Sequence, residues 1–373
     1  MTERVDVIVS GHLCLDLIPN MEHVALDALT KPGQLYEVGE LSISTGGAVS
    51  NTGLALQRLG IAVRLMASVG DDLTGRLIIA ALRDRDPLLA ELITLQEGRS
   101  SSYSVILSPQ KTDRVILHNA GANRVFGADS VDVELLSQAR IFHLGYPPIL
   151  PRLIVHEGKE LTELYRRVKE TGVVSSMDMS LPDPQGASGR VNWAQILQNA
   201  LPYVDIFIPS IEEILLMLRR SDYEQWYGDV LSHLDHAYLE RLAAELIDMG
   251  VVIAGFKLGE MGFYIQCADA EHFERLERLP INVANWAGRS EWSPAYKVDV
   301  VGTTGAGDSA YAGFLAALVH GVDASDAVRW ACAVGACNVE AADATSGVRE
   351  WEATRERMEA GWPQHGVRLP GIG

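Results

Sequence analysis

Basic residues are scarce in this chain: 31 lysines and arginines stand against 49 acids among 373 residues, a formal charge of -18. Such a balance argues against nonspecific attraction to nucleic acid or to an anionic membrane surface, so any site for a phosphorylated ligand has to be local. Cysteine is scarcer still. The four, Cys14, Cys267, Cys332 and Cys337, show no C-x-x-C spacing and no pattern of a disulfide scaffold, which fits a reducing cytoplasm. No apolar run reaches spanning length, and no basic-then-apolar leader is spelled, since Asp6 interrupts the first strand. Two common phosphate-binding fingerprints are missing as well. G-x-G-x-x-G does not follow the first strand, where Gly11-His12-Leu13 stands, and no G-K-[ST] follows the later glycines. The first absence excludes a nicotinamide-dependent dehydrogenase and the second a Walker loop.

What is present is ample apolar material, 47% hydrophobic against 21% charged, enough for one large α/β domain with a packed core. The chain is organised around Val298 to Phe314, V-D-V-V-G-T-T-G-A-G-D-S-A-Y-A-G-F. A β-branched run ending at Val301 predicts a strand, the glycines at 302, 305 and 307 a turn, and the small residues beyond a helix beginning near Asp308. Backbone N–H groups in such a turn converge with the positive end of the helix, so an anion can be held there without basic side chains. Asp308 either complements the helix dipole or accepts the proton of an attacking hydroxyl.

A second glycine turn, T-G-G-A-V-S-N from Thr45 to Asn51, leads into a helix that ends at Gly60. The first strand, through Val7, Ile8 and Val9, stops at Gly11 and is followed by a lone acid, Asp16, a turn former or a ligand. Val63 to Val69 predicts another strand. Ser102 to Leu107 and Arg114 to His118 predict a hairpin around P-Q-K-T-D. From Ile141 onward apolar strands at 141–144, 173–178, 204–208 and 251–257 alternate with helical stretches, the signature of a mainly parallel sheet covered on both faces. A helix-rich insertion covers 221–249, and the excursion 267–295 has no readable role. The helices after the signature, to His320 and from about Asp326 to Glu340, are rich in Ala and Gly, which permits close packing or a backbone-lined groove.

Taken in order, these motifs resemble those of the ribokinase-like sugar kinases, the PfkB carbohydrate kinase family, over nearly the whole chain. The resemblance implies a doubly wound, mainly parallel α/β fold over 1–373 with helices on both faces and a small β-sheet lid at about 12–44 and 99–121. It implies transfer of the γ-phosphate of ATP to a hydroxyl of a sugar or sugar-like molecule, with Asp308 as catalytic base and the amides of Gly305, Ala306 and Gly307 as the anion hole. Asp16, Gly46, Gly47 and Asn51 fall on the family's sugar-binding positions. Ser210, Lys257, Gly259, Gly262, Thr304 and Asn338 fall on those for ATP, and Glu213 on that for Mg2+. A homodimer through the lid is a further expectation.

Three departures matter. Gly302 replaces an Asp that helps relatives hold a monovalent cation, so such an ion is expected to bind weakly unless Glu340 or Asp343 supplies the charge. Ser210 replaces an Asn. D-M-S-L-P at Asp178 to Pro182 replaces D-x-N-x-R, and Leu181 and Pro182 stand where acid-sugar members carry an Arg, which predicts a neutral acceptor. The departures also leave open a lapsed kinase kept as a sugar-binding or regulatory module, and a nucleoside kinase of the same fold.

Overall fold

Short aliphatic and β-branched runs form the strands of the computed structural model, which describes residues 5–111 and 115–372. In chain order they are β1 (Val7–Gly11), β2 (Cys14–Pro19), β3 (Leu41–Gly46), β4 (Val63–Gly70), β5 (Leu92–Gln96), β6 (Tyr103–Leu107), β7 (Val115–Asn119), β8 (Ile141–Gly145), β9 (Val174–Asp178), β10 (Ile206–Phe207), β11 (Ile253–Lys257), β12 (Phe263–Cys267) and β13 (Ser290–Ser293). Nine make one sheet in the order β13-β12-β11-β10-β9-β8-β1-β4-β5. From β5 to β11 neighbouring strands are parallel, and β12 and β13 extend that edge antiparallel. Successive side chains of a strand point to opposite faces, and β1 shows the consequence: Val7 and Val9 enter one core, Ile8 the other. With both faces covered, the fold is doubly wound.

A second, four-stranded sheet in the order β3-β2-β6-β7 stands apart from the first. Its register sorts chemistry by face. Ser44, Asp16, Ser104 and His118 are direct neighbours across the four strands, and the adjacent row is Ile43, Leu17, Val105 and Leu117. One face is therefore polar and the other apolar, and on the apolar one Ile43 is 54% and Leu117 55% exposed. Of the predicted hairpin, Thr112, Asp113 and Arg114 lie outside the described residues.

Two expectations need correction, and two strands went unforeseen. Val298 to Val301 is not a strand: Val300 and Val301 are exposed, and the amides of Val301 and Gly302 rest on the Val339 carbonyl at 2.8 and 3.3 Å instead of pairing with a sheet edge. The strand expected over 204–208 shortens to Ile206–Phe207. The unread excursion contains β13, and Leu92–Gln96 adds an edge strand, β5, whose mixed polarity hid it.

The signature helix Ala306–His320 and the helix Ala324–Val339 pack as an antiparallel pair. Gly313 makes the approach possible, because a β-carbon there would lie 2.8 Å from both the Trp330 carbonyl oxygen and Val334. The hydroxyl of Tyr311, one turn beyond Asp308, reaches the backbone carbonyls of Met177 and Ile206 at 3.2 and 3.3 Å and pins the helix to the sheet. Gly313→Val is expected to lower unfolding stability by about 1–3 kcal/mol through overpacking, measured by urea denaturation.

Candidate active site

The site lies at the carboxyl ends of the parallel strands, where a doubly wound sheet opens a crevice. Gly145, last residue of β8, lets the helix Ala48–Arg58 seat its first turn there, since a β-carbon at 145 would fall 2.0 Å from that of Ala48. That brings Asn51 and Thr52 to the start of the signature helix. Asp308 is buried in its first turn and receives donors from both, Asn51 Nδ2 at 3.0 Å and Thr52 Oγ1 at 3.4 Å. A third donor comes from the end of β8. The Tyr146 hydroxyl donates to Asp308, 2.8 Å from Oδ1 and 2.7 Å from Oδ2.

Beneath Asp308 lies a buried ion pair. Lys257 closes β11 and Asp178 closes β9, and Lys257 Nζ is 2.5 Å from Asp178 Oδ1. The other oxygen, Asp178 Oδ2, is buried without a hydrogen-bond partner. Burial, opposed by Lys257 and reinforced by Asp308, pushes the Asp178 carboxyl up to about 6. Burial also works against the Lys257 ammonium, but Asp178, Glu213 and Asp308 together raise it above its ordinary value, so the ammonium stays charged at neutral pH. Glu213 is tied into the first turn of its helix by a reciprocal cap, its Oε2 accepting from the Ser210 amide at 2.7 Å while Ser210 Oγ accepts from the Glu213 amide. Burial pushes Glu213 up to about 8, against the pull of Lys257.

A cavity of about 680 Å³ runs from Tyr146 and Asp308 past Lys257 to the small-residue face of the second helix, at Ala331, Gly335 and Ala336. Ser210, Glu213, Lys257, Gly259, Gly262, Gly305, Ala306 and Gly307 all border it. Gly305 turns into the helix with φ 71, a left-handed conformation that favours glycine. Of the three amides, that of Ala306 is spent on the Thr303 carbonyl at 3.3 Å, a bond long enough for a phosphate oxygen to compete with. Thr304 is half-buried, and its neighbour Thr303 borders the cavity in its place. Asn338 does not reach the cavity: its Nδ2 donates to the Ala344 carbonyl at 2.5 Å and closes the turn after the helix, so the wall expected to carry a polar contact is small and apolar.

The far end of the cavity is covered by a segment that no motif announced. His365 borders it, and the backbone of 362–365 is strapped across 293–297 by Lys297 N to Pro363 O at 2.9 Å, His365 N to Ala295 O at 2.8 Å and Gln364 Nε2 to Ser293 Oγ at 2.8 Å.

Beside Tyr146, whose ring centroid lies 6.2 Å from that of His12, the polar row of the small sheet adjoins a cluster of buried polar side chains. Gly46 leaves room for the Asp16 carboxylate, whose Oδ2 would be 2.0 Å from a β-carbon at 46, and Gly47 does the same for the His12 ring. His12 Nδ1, Asn51 Oδ1 and Asn123 Oδ1 are all buried here without hydrogen-bond partners. Burial, then the neighbouring His118, holds His12 well below the usual histidine range, so it is neutral.

Breaking the ion pair tests the floor of the site. Lys257→Met is expected to cost roughly 3–5 kcal/mol of stability by stranding a buried carboxylate, and Lys257→Met with Asp178→Asn to recover part of that loss, both followed by denaturant titration.

The model of the pfkB family carbohydrate kinase matches residues 5–351. An uncharacterized sugar kinase of Archaeoglobus fulgidus is 28% identical across 79% of this chain and 98% of its own. A 2-dehydro-3-deoxygluconokinase of Bacillus subtilis is 24% identical across 92% and 94%. The structure of Arabidopsis thaliana ribokinase complexed with ribose and ATP superposes with a TM-score of 0.70 at 18% identity, covering 95% of this chain and 98% of that one.

Proposed function

The chain belongs to the pfkB family of carbohydrate kinases, ATP-dependent sugar phosphotransferases, and within that activity we propose Asp308 as the base and a neutral polyhydroxy molecule as the acceptor. The observation that carries the reading is the position of Asp308, a buried carboxylate at a glycine-rich helix N-terminus, between a cluster of buried polar side chains and a cavity of nucleotide size. ATP lies along the cavity with its γ-phosphate at the amides of Gly305 and Gly307 and its base toward the small-residue wall and His365. The acceptor lies against Asp16, Asn51 and Asn123. Its hydroxyl oxygen attacks the γ-phosphorus, the bond to the ADP oxygen breaks, and the hydroxyl proton passes to Asp308. The helix N-terminus and the Lys257 ammonium stabilise charge on the transferring group in a loose transition state. Lys257 thus acts through its side chain.

The carboxyl groups of Asp178, Glu213 and Asp308 outnumber the Lys257 ammonium where a polyanion must bind, and burial already keeps Glu213 largely protonated. Among the described residues no three metal-ligating side chains cluster, so a self-contained metal site is not what this arrangement fits. A magnesium ion carried on the nucleotide does fit, with Glu213 and the unpartnered Asp178 Oδ2 to hold it, largely through water, and its charge to neutralise the phosphates.

The acceptor is read as neutral because the buried pocket offers two carboxylates and uncharged His12, Asn51, Ser102 and Asn123, while Leu181 is 45% exposed where an Arg would be needed. The apolar face of the small sheet, with Ile43, Leu117 and Leu41 exposed, supports a homodimer that covers it. No helix among the described residues is long and apolar enough to cross a membrane.

Two outcomes are expected. Asp308→Asn should lower turnover roughly 10²- to 10⁴-fold while ATP affinity, measured by calorimetry, stays within a few-fold. In an ADP-release assay over ketoses, pentoses, nucleosides and 2-dehydro-3-deoxygluconate, neutral compounds should be phosphorylated and the acid should not; the reverse pattern would refute the neutral acceptor.

A further inference from the structure

We propose that Tyr146 guards the base: its phenol hydroxyl occupies the place at Asp308 that an acceptor hydroxyl or a water molecule would take, and so suppresses phosphate transfer to water until an acceptor displaces it. The inference rests on the reading of Asp308 as base. A kinase with an exposed base wastes its donor, because water can do what the acceptor does. Its oxygen attacks the γ-phosphorus, the bond to ADP breaks, the proton goes to the carboxylate, and ADP and inorganic phosphate leave.

Four observations place Tyr146 against that reaction. Its hydroxyl spans both oxygens of Asp308 at 2.8 and 2.7 Å, and with Asn51 and Thr52 it gives each oxygen a donor from protein. Tyr146 borders the nucleotide cavity, as Asp308 does, whereas Asp16, Asn51, Gly46 and Gly47 do not, so the phenol stands between the two halves of the site. Its backbone is left-handed, φ 67 and ψ 47, a conformation that costs a non-glycine residue roughly 1 kcal/mol or more. That backbone is fixed, with its N–H on the Asp178 carbonyl at 3.2 Å and its carbonyl on Ile149 N at 3.1 Å, which leaves the side chain as the part that moves. Burial, then the charge of Asp308, also keeps the phenol protonated and therefore a donor. Displacement by an acceptor exchanges one hydrogen bond to Asp308 for another, so the guard obstructs water without a large barrier to sugar.

The test compares wild type, Tyr146→Phe, Tyr146→Ala and Tyr146→Phe with Asp308→Asn, reading phosphate released from ATP without acceptor, acceptor-dependent ADP formation, and melting temperature. Tyr146→Phe is expected to raise acceptor-free hydrolysis roughly 10- to 100-fold and to lower KM for the acceptor, and Tyr146→Ala to raise hydrolysis further by admitting water. Adding Asp308→Asn should abolish the gain. Folded variants whose hydrolysis stays at the wild-type level, or a gain that survives Asp308→Asn, would overturn the guard while leaving the kinase reading intact. So would phosphate found on Tyr146 by mass spectrometry after incubation with ATP alone, since the phenol would then be an acceptor itself. Failure of the wild type to turn over any acceptor sinks the kinase reading, and the guard with it.

Discussion

Three carboxylates and one ammonium share a buried space at the strand ends, and most of the site's architecture is an answer to that imbalance. Unpaired charge in a low-dielectric interior is costly, and such groups either find partners or give up their charge. Asp308 is served by Asn51, Thr52 and Tyr146 from two other elements, Asp178 by Lys257 and the Met179 amide, Glu213 by the Ser210 amide. The imbalance is not fully cancelled. Asp178 and Glu213 are both raised, chiefly by burial and against the pull of Lys257, so their charge is only partly compensated within the protein.

This arrangement depends on parallel topology. Gly145, Asp178 and Lys257 are last residues of adjacent or near-adjacent strands β8, β9 and β11, separated in sequence by scores of residues and brought to one edge by the sheet. The small sheet completes the site by period-two alternation alone. The row through Ser44, Asp16, Ser104 and His118 and the row through Ile43, Leu17, Val105 and Leu117 take opposite faces, so one register makes both a polar face and an apolar surface.

Local patterns carried the legible part of the molecule. The glycines around Asp308 and Asn51 require particular backbone geometry, so the turns and helix starts could be read from a few adjacent residues. The parallel sheet was legible from the alternation beyond Ile141. Long-range relations were not. Nothing near Lys257 says that its ammonium meets Asp178, and nothing near Asp308 names Tyr146, although a residue between the end of a buried strand and two prolines was a signal of fixed placement. Val298 to Val301 failed in the opposite way, with strong β-propensity and no sheet edge to pair with, so tertiary context overrode it. Asn338 stands outside the cavity lining because an Asn at a helix end has a nearer use, the carbonyl of the turn it closes.

The loop behind the signature shows how far the charge distribution has been rearranged. Gly302 lies against it, so that a β-carbon at 302 would meet the carbonyl oxygens of Ala341 and Ala342 at 2.9 and 3.0 Å. The two acids that could replace the family's carboxylate are already committed. Glu340 accepts from Arg357 at 2.7 and 2.8 Å and from Arg349 at 3.2 Å, and these guanidinium groups, the Arg357 hydrogen bond first, hold it below the ordinary range. Asp343 caps its own loop, accepting the Thr345 and Ser346 amides at 2.8 and 2.6 Å. The carbonyls of Ala341 and Ala342 therefore lie beside the glycine turn, and neither Glu340 nor Asp343 is uncommitted. A cationic group fixed beside the glycine turn is Lys257, whose Nζ would lie 3.5 Å from a β-carbon at Gly307. An Asp placed at 302 would press on two backbone oxygens before it could attract an ion, so the missing charge cannot be restored by that one side chain without moving the loop.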